Sequence, residues 1–119
     1  MNKPFYSIAE MYARGLLKVT YPPDDIPVCY QCRIYPAIDP GELLKNKNPV
    51  YIGWTISLEY VNEATNMEIH RMEITRSTKR ELVDASRDIA KVITNARQKR
   101  TFLDWLFANE PRLERFVET

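Results

Sequence analysis

The stretch Val50-Tyr51-Ile52-Gly53-Trp54-Thr55-Ile56-Ser57-Leu58-Glu59-Tyr60-Val61 decides the fold, because its side chains alternate in character. Val50, Ile52, Trp54, Ile56, Leu58 and Tyr60 form an apolar row. Tyr51, Gly53, Thr55, Ser57 and Glu59 form a mainly polar one. A period of two over this length predicts a half-buried antiparallel strand, since successive residues of a strand face opposite sides of its sheet.

Its neighbours obey the same rule. Residues 62–66 read as a hairpin loop, and Met67 to Arg76 as the returning strand. Met67 and Ile69 lie out of phase with Met72 and Ile74, so a bulge near His70 or Arg71 is expected. Upstream, Val28, Tyr30, Cys32 and Ile34 point one way from an alternating run, and Cys29, Gln31, Arg33 and Tyr35 the other. Leu16 to Tyr21 leans towards a first strand, ended by Pro22-Pro23-Asp24-Asp25.

Helices flank these strands. Ser7-Ile8-Ala9-Glu10 is a capping box opening a short helix that Gly15 is placed to end. Asp39-Pro40-Gly41-Glu42 starts a turn or two of helix that closes at the turn Asn46-Lys47-Asn48-Pro49. Thr78-Lys79-Arg80-Glu81 is a second capping box, opening what reads as the longest helix. Along it Leu82, Ala85, Ser86, Ile89, Val92, Ile93 and Ala96 share one face, which should lie on the sheet. Arg100 would fall on that face, so the helix should bend or stop near there. Thr101 to Ala108 then begins again, and Asn109-Glu110-Pro111 restarts a last helical piece. The expected class is α+β: a meander of three or four antiparallel strands, a long helix on one sheet face, and short helices at the ends.

One domain is expected from 119 residues, of which 45% are hydrophobic and 28% charged. No apolar run approaches the ~20 residues of a membrane helix. Residues 1–6 carry one Lys and no apolar stretch after it, so a soluble, cytoplasmic protein is expected. Net charge is +1, unevenly placed. Residues 1–75 carry 7 basic and 9 acidic side chains, residues 76–100 carry 8 and 3, and residues 101–119 carry 2 and 4.

Three sets of residues could carry chemistry. Cys29 and Cys32 form a CxxC pair, but on a strand positions i and i+3 face opposite sides. They should share neither a metal nor a disulfide, and remain two free thiols. His70, near Glu68 and Glu73 in sequence, is the one candidate general base. With no nucleophile motif, Gly-rich loop or metal-spaced ligand set, no catalytic residue, metal or cofactor is expected. The basic segment puts Arg80, Arg87 and Lys91 along a solvent stripe, with Lys79 at its start and Arg97, Lys99 and Arg100 at its end. Such a line could track a phosphate backbone. Asp84, Glu81 and Asp88 interrupt it, which suits a solvated face with weak ion pairs, and the last three cations suit a helix C-terminus.

The order of elements, with a helix starting Thr78-Lys79-Arg80-Glu81-Leu82-Val83-Asp84-Ala85-Ser86, is similar to that of double-stranded-RNA-binding domains. The resemblance spans Thr78 to Ala90 and implies RNA as a partner. Val83 stands where that signature has a further Lys, there is no Gly-Pro-X-His loop, and a Pro-rich insertion separates two strands.

The last surface clue is aromatic. Gln31, Arg33, Tyr35 and Tyr51 would form a mixed patch on the second sheet face, and Tyr suits interfaces. In Thr101 to Ala108, Phe102, Trp105 and Leu106 can pack inward, leaving Leu103 or Phe107 partly out. The leading expectation is therefore a non-enzymatic protein-interaction domain (regulatory, adaptor or inhibitory), with self-association as one form. A nucleic-acid module using the basic helix is the alternative, and an enzyme relying on His70 the third.

Overall fold

Two capping boxes set the ends of helices as their residue types require. The structure, a computed structural model, describes residues 5–46 and 48–118. The Ser7 hydroxyl accepts from the Glu10 amide at 3.2 Å and opens helix α1 (Ile8–Ala13). Gly15, at φ +72°, closes it, with the Leu16 amide donating to the Met11 carbonyl and the Gly15 amide to that of Tyr12. Between α1 and the second capping box lie strand β1 (Val28–Ile38), helix α2 (Pro40–Asn46), and strands β2 (Tyr51–Asn62) and β3 (Glu68–Arg76). Thr78 then caps helix α3 (Lys79–Val92) as Ser7 caps α1, accepting from the Glu81 amide at 3.1 Å.

Among the described residues the sheet has three antiparallel strands in the order β1-β2-β3. Leu16 to Tyr21 is not a fourth strand. It crosses the molecule as irregular chain that buries Leu17 and makes side-chain rather than ladder contacts: Thr20 pairs with the Tyr60 hydroxyl. Asn62 folds the β2–β3 loop, its side chain accepting from the amides of Ala64 and Thr65, and Asn66 takes the left-handed conformation at φ 58°. The phase change in β3 is a bulge at Ile69. Tyr60 pairs with His70 and Val61 with Glu68, one residue from the expected position.

The apolar face carries the core. Cys32, Ile56, Leu58, Met72 and Ile74 meet Leu82, Val83, Ala85 and Ile89 of α3, all buried. Val83 joins them because α3 is covered on two sides, by the sheet and by helix α4 (Ala96–Glu118).

Helix α4 corrects three expectations. It, and not α3, is the longest helix. Helix α3 ends at Val92, and Asn95 caps the next one through the Gln98 amide at 3.0 Å. The helix then continues through Pro111 to Glu118 without the restart expected at Asn109. Tertiary anchors hold it on both sides of the proline. Phe102, Trp105 and Leu106 are buried before it and Leu113 after it. Two of its side chains also donate to β1 carbonyls, Trp105 Nε1 to Gln31 at 3.0 Å and Arg112 to Cys32 at 2.7 Å. The cations at 97–100 thus stand in the first turns of α4 and not at a C-terminus, where the helix dipole would favour them. Asp24 and Asp104 offset this by pairing with Arg97 and Arg100.

Candidate interaction surface

Strand β3 ends at Arg76, opposite Trp54, while β1 and β2 pair on through Ala37–Gly53 and Ile38–Tyr51. Beyond Trp54 the sheet is therefore a two-stranded arm, with α2 at its end. Its geometry turns on Gly53, at φ +146°, a conformation that favours glycine. The register slips there, and Ile52 is left without a partner on β1. Past the end of β3 the apolar row leaves the core: Trp54 to Tyr60 pack inward, but Val50 and Ile52 are exposed.

The arm and α2 present six large apolar side chains to solvent. Leu44 is 85% and Tyr51 62% exposed, and Ile38, Leu43, Val50 and Ile52 each 38–41%; Tyr35, 39% exposed, stands next to the arm on the three-stranded part of the sheet, opposite Thr55. Tyr35, Ile38 and Ile52 line one open groove with Phe5 and Glu73. A two-stranded ribbon is marginal by itself, so such a surface is costly unless something covers it. The sequence-based patch contains only Tyr51 of these six. Two further signals were present: a glycine inside a strand pattern marks a bulge, and adjacent leucines on a short helix cannot both be inward.

Gln31 and Arg33 lie with Tyr35 on the second sheet face, which self-satisfied polar contacts cross. Arg33 pairs with the buried Glu59 at 3.3 Å, Ser57 donates to Glu59 at 3.2 Å, and Thr55 and Thr75 share a hydrogen bond of 2.8 Å. Tyr35 donates to Glu73 at 3.3 Å across β2. Burial and that carboxylate raise its pKa above the usual value. Phe107, 68% exposed, is not brought to this group: it points outward from α4, on the opposite side of the sheet. Leu103 is half-buried.

The basic residues are separated. Arg87 is half-buried, its guanidinium on Glu110 (3.2 Å from Nε) and Glu114 of α4. Lys91 pairs with Asp88 at 3.0 Å. Lys79 lies over the rings of Trp54 and Phe116, 5.3 and 5.1 Å from their centres. Arg97 stacks on Tyr21 at 4.2 Å and pairs with Asp24, and Arg100 pairs with Asp104 at 3.2 Å. Among the described residues, no ion pair includes Arg80 or Lys99.

His70 donates through Nε2 to the Lys18 carbonyl at 3.0 Å and packs beside Tyr60. The two carboxylates near it in sequence are elsewhere engaged, both on Arg71. The structure brings it to neither.

The two thiols stand as the strand reading requires. Cys29 is exposed, Cys32 is buried, and both are free. Burial pushes the Cys32 thiol up to about 11 from 9.0, with Arg112 pulling it partly back. A raised pKa means the folded state holds that proton more tightly. Its contribution to stability is whole below pH 9 and fades as pH rises towards 11. At pH 8 a maleimide should label one thiol per native chain, Cys29, and reach Cys32 only in denaturant. Two adducts on the native protein by mass spectrometry would contradict this burial.

Among the described residues there is no cluster of metal-ligating side chains, and no helix is long and apolar enough to cross a membrane. These features define an α+β domain with a three-stranded antiparallel sheet, roofed on one face by helices and extended by an apolar arm. No protein-family model, curated protein or solved structure matches the chain.

Proposed function

We propose that this chain is a small non-enzymatic protein-interaction domain, a regulatory, adaptor or inhibitory factor that engages its partner through the arm. The supporting observation is that Val50 and Ile52, apolar in a strict alternation, lie outside the core, and that Leu44 and Tyr51 are exposed as well. Interfaces of this kind are centred on aromatic and aliphatic side chains. The basic helix supports a nucleic-acid reading less well, because Arg87, Lys91, Arg97 and Arg100 already face carboxylates. Val83, which departs from the RNA-binding signature, lies in the core.

The test is affinity capture from a lysate of the source cells, using the wild-type chain and a Leu44→Asp/Tyr51→Asp variant, with and without nuclease. Proteins captured by the wild type should be retained after nuclease and lost with the variant. Capture that disappears on nuclease treatment, and survives both substitutions, would transfer the reading to nucleic acid.

A further inference from the structure

We propose that the outer edge of β3 pairs with the β3 edge of a second copy of this chain, joining the two sheets into one continuous antiparallel sheet. This surface is separate from the arm. Strands β1 and β3 are the outer strands, and their outer edges differ. The Asn62 amide donates to the Met67 carbonyl, so by the period of two the backbone groups of Tyr60, Leu58 and Ile56 also turn towards β3. Their partners His70, Met72 and Ile74 answer them, which directs the N–H and C=O of Arg71 and Glu73 out of the sheet. On β1 the same rule turns Cys32 and Pro36 outward, since they stand opposite Leu58 and Trp54. Pro36 has no N–H, and the Cys32 carbonyl accepts from Arg112 of α4, so that edge is closed. At β3, among the described residues, no backbone group from outside the sheet bonds Arg71 or Glu73. The Lys18 carbonyl reaches the His70 side chain, on the face of Met72, and not the edge backbone.

An unpaired edge is a template for another strand, and here the charges select which one. A two-fold ladder must set outward groups against outward groups, which puts its axis through a residue and not between two. An axis through Arg71 or through Glu73 would oppose like charges. An axis through Met72 sets Arg71 against the partner's Glu73 and Glu73 against the partner's Arg71. Opposite charges directly across a ladder stabilise it, and like charges weaken it. Both side chains stand on the open sheet face, 46% and 45% exposed. The strand is thus complementary to itself in one register, which is what fits it to a second copy. The bulge at Ile69 confines the seam to residues 70–74 of each copy.

Sedimentation equilibrium of the purified full-length chain, up to about 1 mM, tests this with no other protein present. So short a seam should give a weak dimer, with a Kd on the order of 10–100 μM. Arg71→Glu and Glu73→Arg, each alone, set like charges across the seam and should weaken it at least about tenfold. Mixed in equal amounts, the two variants should associate about as tightly as the wild type, because every opposed pair is then of opposite sign. Leu44→Asp/Tyr51→Asp, on the arm, should leave the dimer unchanged. Circular dichroism checks that the variants keep the fold. If they do not, hydrogen exchange of the wild type decides: the Arg71 and Glu73 amides should exchange more slowly as protein concentration rises. A wild type that stays monomeric throughout would overturn the proposal. So would single variants that dimerise as the wild type does, or a dimer in which those two amides exchange at one rate at every concentration. Protection of these amides only by a different protein would overturn it as well.

Discussion

Gly53→Ala should lower the stability of the chain by about 4 kcal/mol, a drop in Tm on the order of 15 °C. Two effects add at this position. Its φ of +146° is one that a side chain rarely adopts, which strains the backbone by about 1–3 kcal/mol. A Cβ there would also stand 2.1 Å from the Arg76 carbonyl oxygen and 2.8 Å from the Ser77 Cα. Both are backbone atoms, at the point where β3 leaves the sheet, and cannot step aside as a flexible side chain could. The other glycines calibrate the result. Gly15 is at φ +72° with nothing within 4 Å of an added Cβ, so Gly15→Ala should show conformational strain alone, about 1 kcal/mol. Gly41 has only the Asp39 carboxylate oxygen at 3.3 Å, and Gly41→Ala should cost less still. Urea denaturation of the three variants gives the order directly. A Gly53→Ala value no larger than that of Gly15→Ala would mean that the arm does not leave the sheet through this bend.

That bend also marks where the sequence stops being readable. The centre of β2 is legible because alternation and burial agree there: Ile56, Leu58 and Tyr60 are buried on one face, and Ile56 and Leu58 share a core with Leu82 and Ile89 of α3. Alternation reports the phase of side chains, however, and not whether a neighbouring layer covers them. Val50 and Ile52 continue the pattern past the end of β3, so they read as core and stand in solvent. Leu16 to Tyr21 shows the converse. Its composition suits a strand, but His70, Tyr60 and the helices hold it by side-chain contacts, and no neighbouring strand supplies a ladder. The cations at 97–100 read as the end of one helix because no glycine or proline marks the break. Asn95 makes that break through a side-chain cap, a signal that a polar residue between apolar-periodic segments carries only weakly. The two cysteines are legible in full, since opposite facing at i and i+3 is a property of strand geometry alone.

Leu113→Ala should cost about 3 kcal/mol, which would lower Tm by on the order of 10 °C. Local propensity ends α4 near Asn109, because Pro111 has no N–H for the preceding turn and its ring crowds that turn's carbonyl, a penalty of about 3 kcal/mol in a helix interior. The chain stays helical because the residues after the proline are bound to the rest of the molecule. Leu113 is 0% exposed, Phe116 packs edge-on against Trp54 at 5.3 Å, and Arg87 of α3 holds Glu110 and Glu114 on either side of Pro111. Removing most of the Leu113 side chain leaves a cavity that this rigid surround fills only in part, so the loss exceeds the transfer free energy of the deleted methyl groups. The half-exposed ion pair at Arg87 supplies orientation more than stability, and Arg87→Ala should therefore cost less than Leu113→Ala. If instead residues 112–118 formed a loosely attached end, Leu113→Ala would change the urea midpoint hardly at all. In that outcome the segment would exchange its amide hydrogens as fast as a frayed terminus.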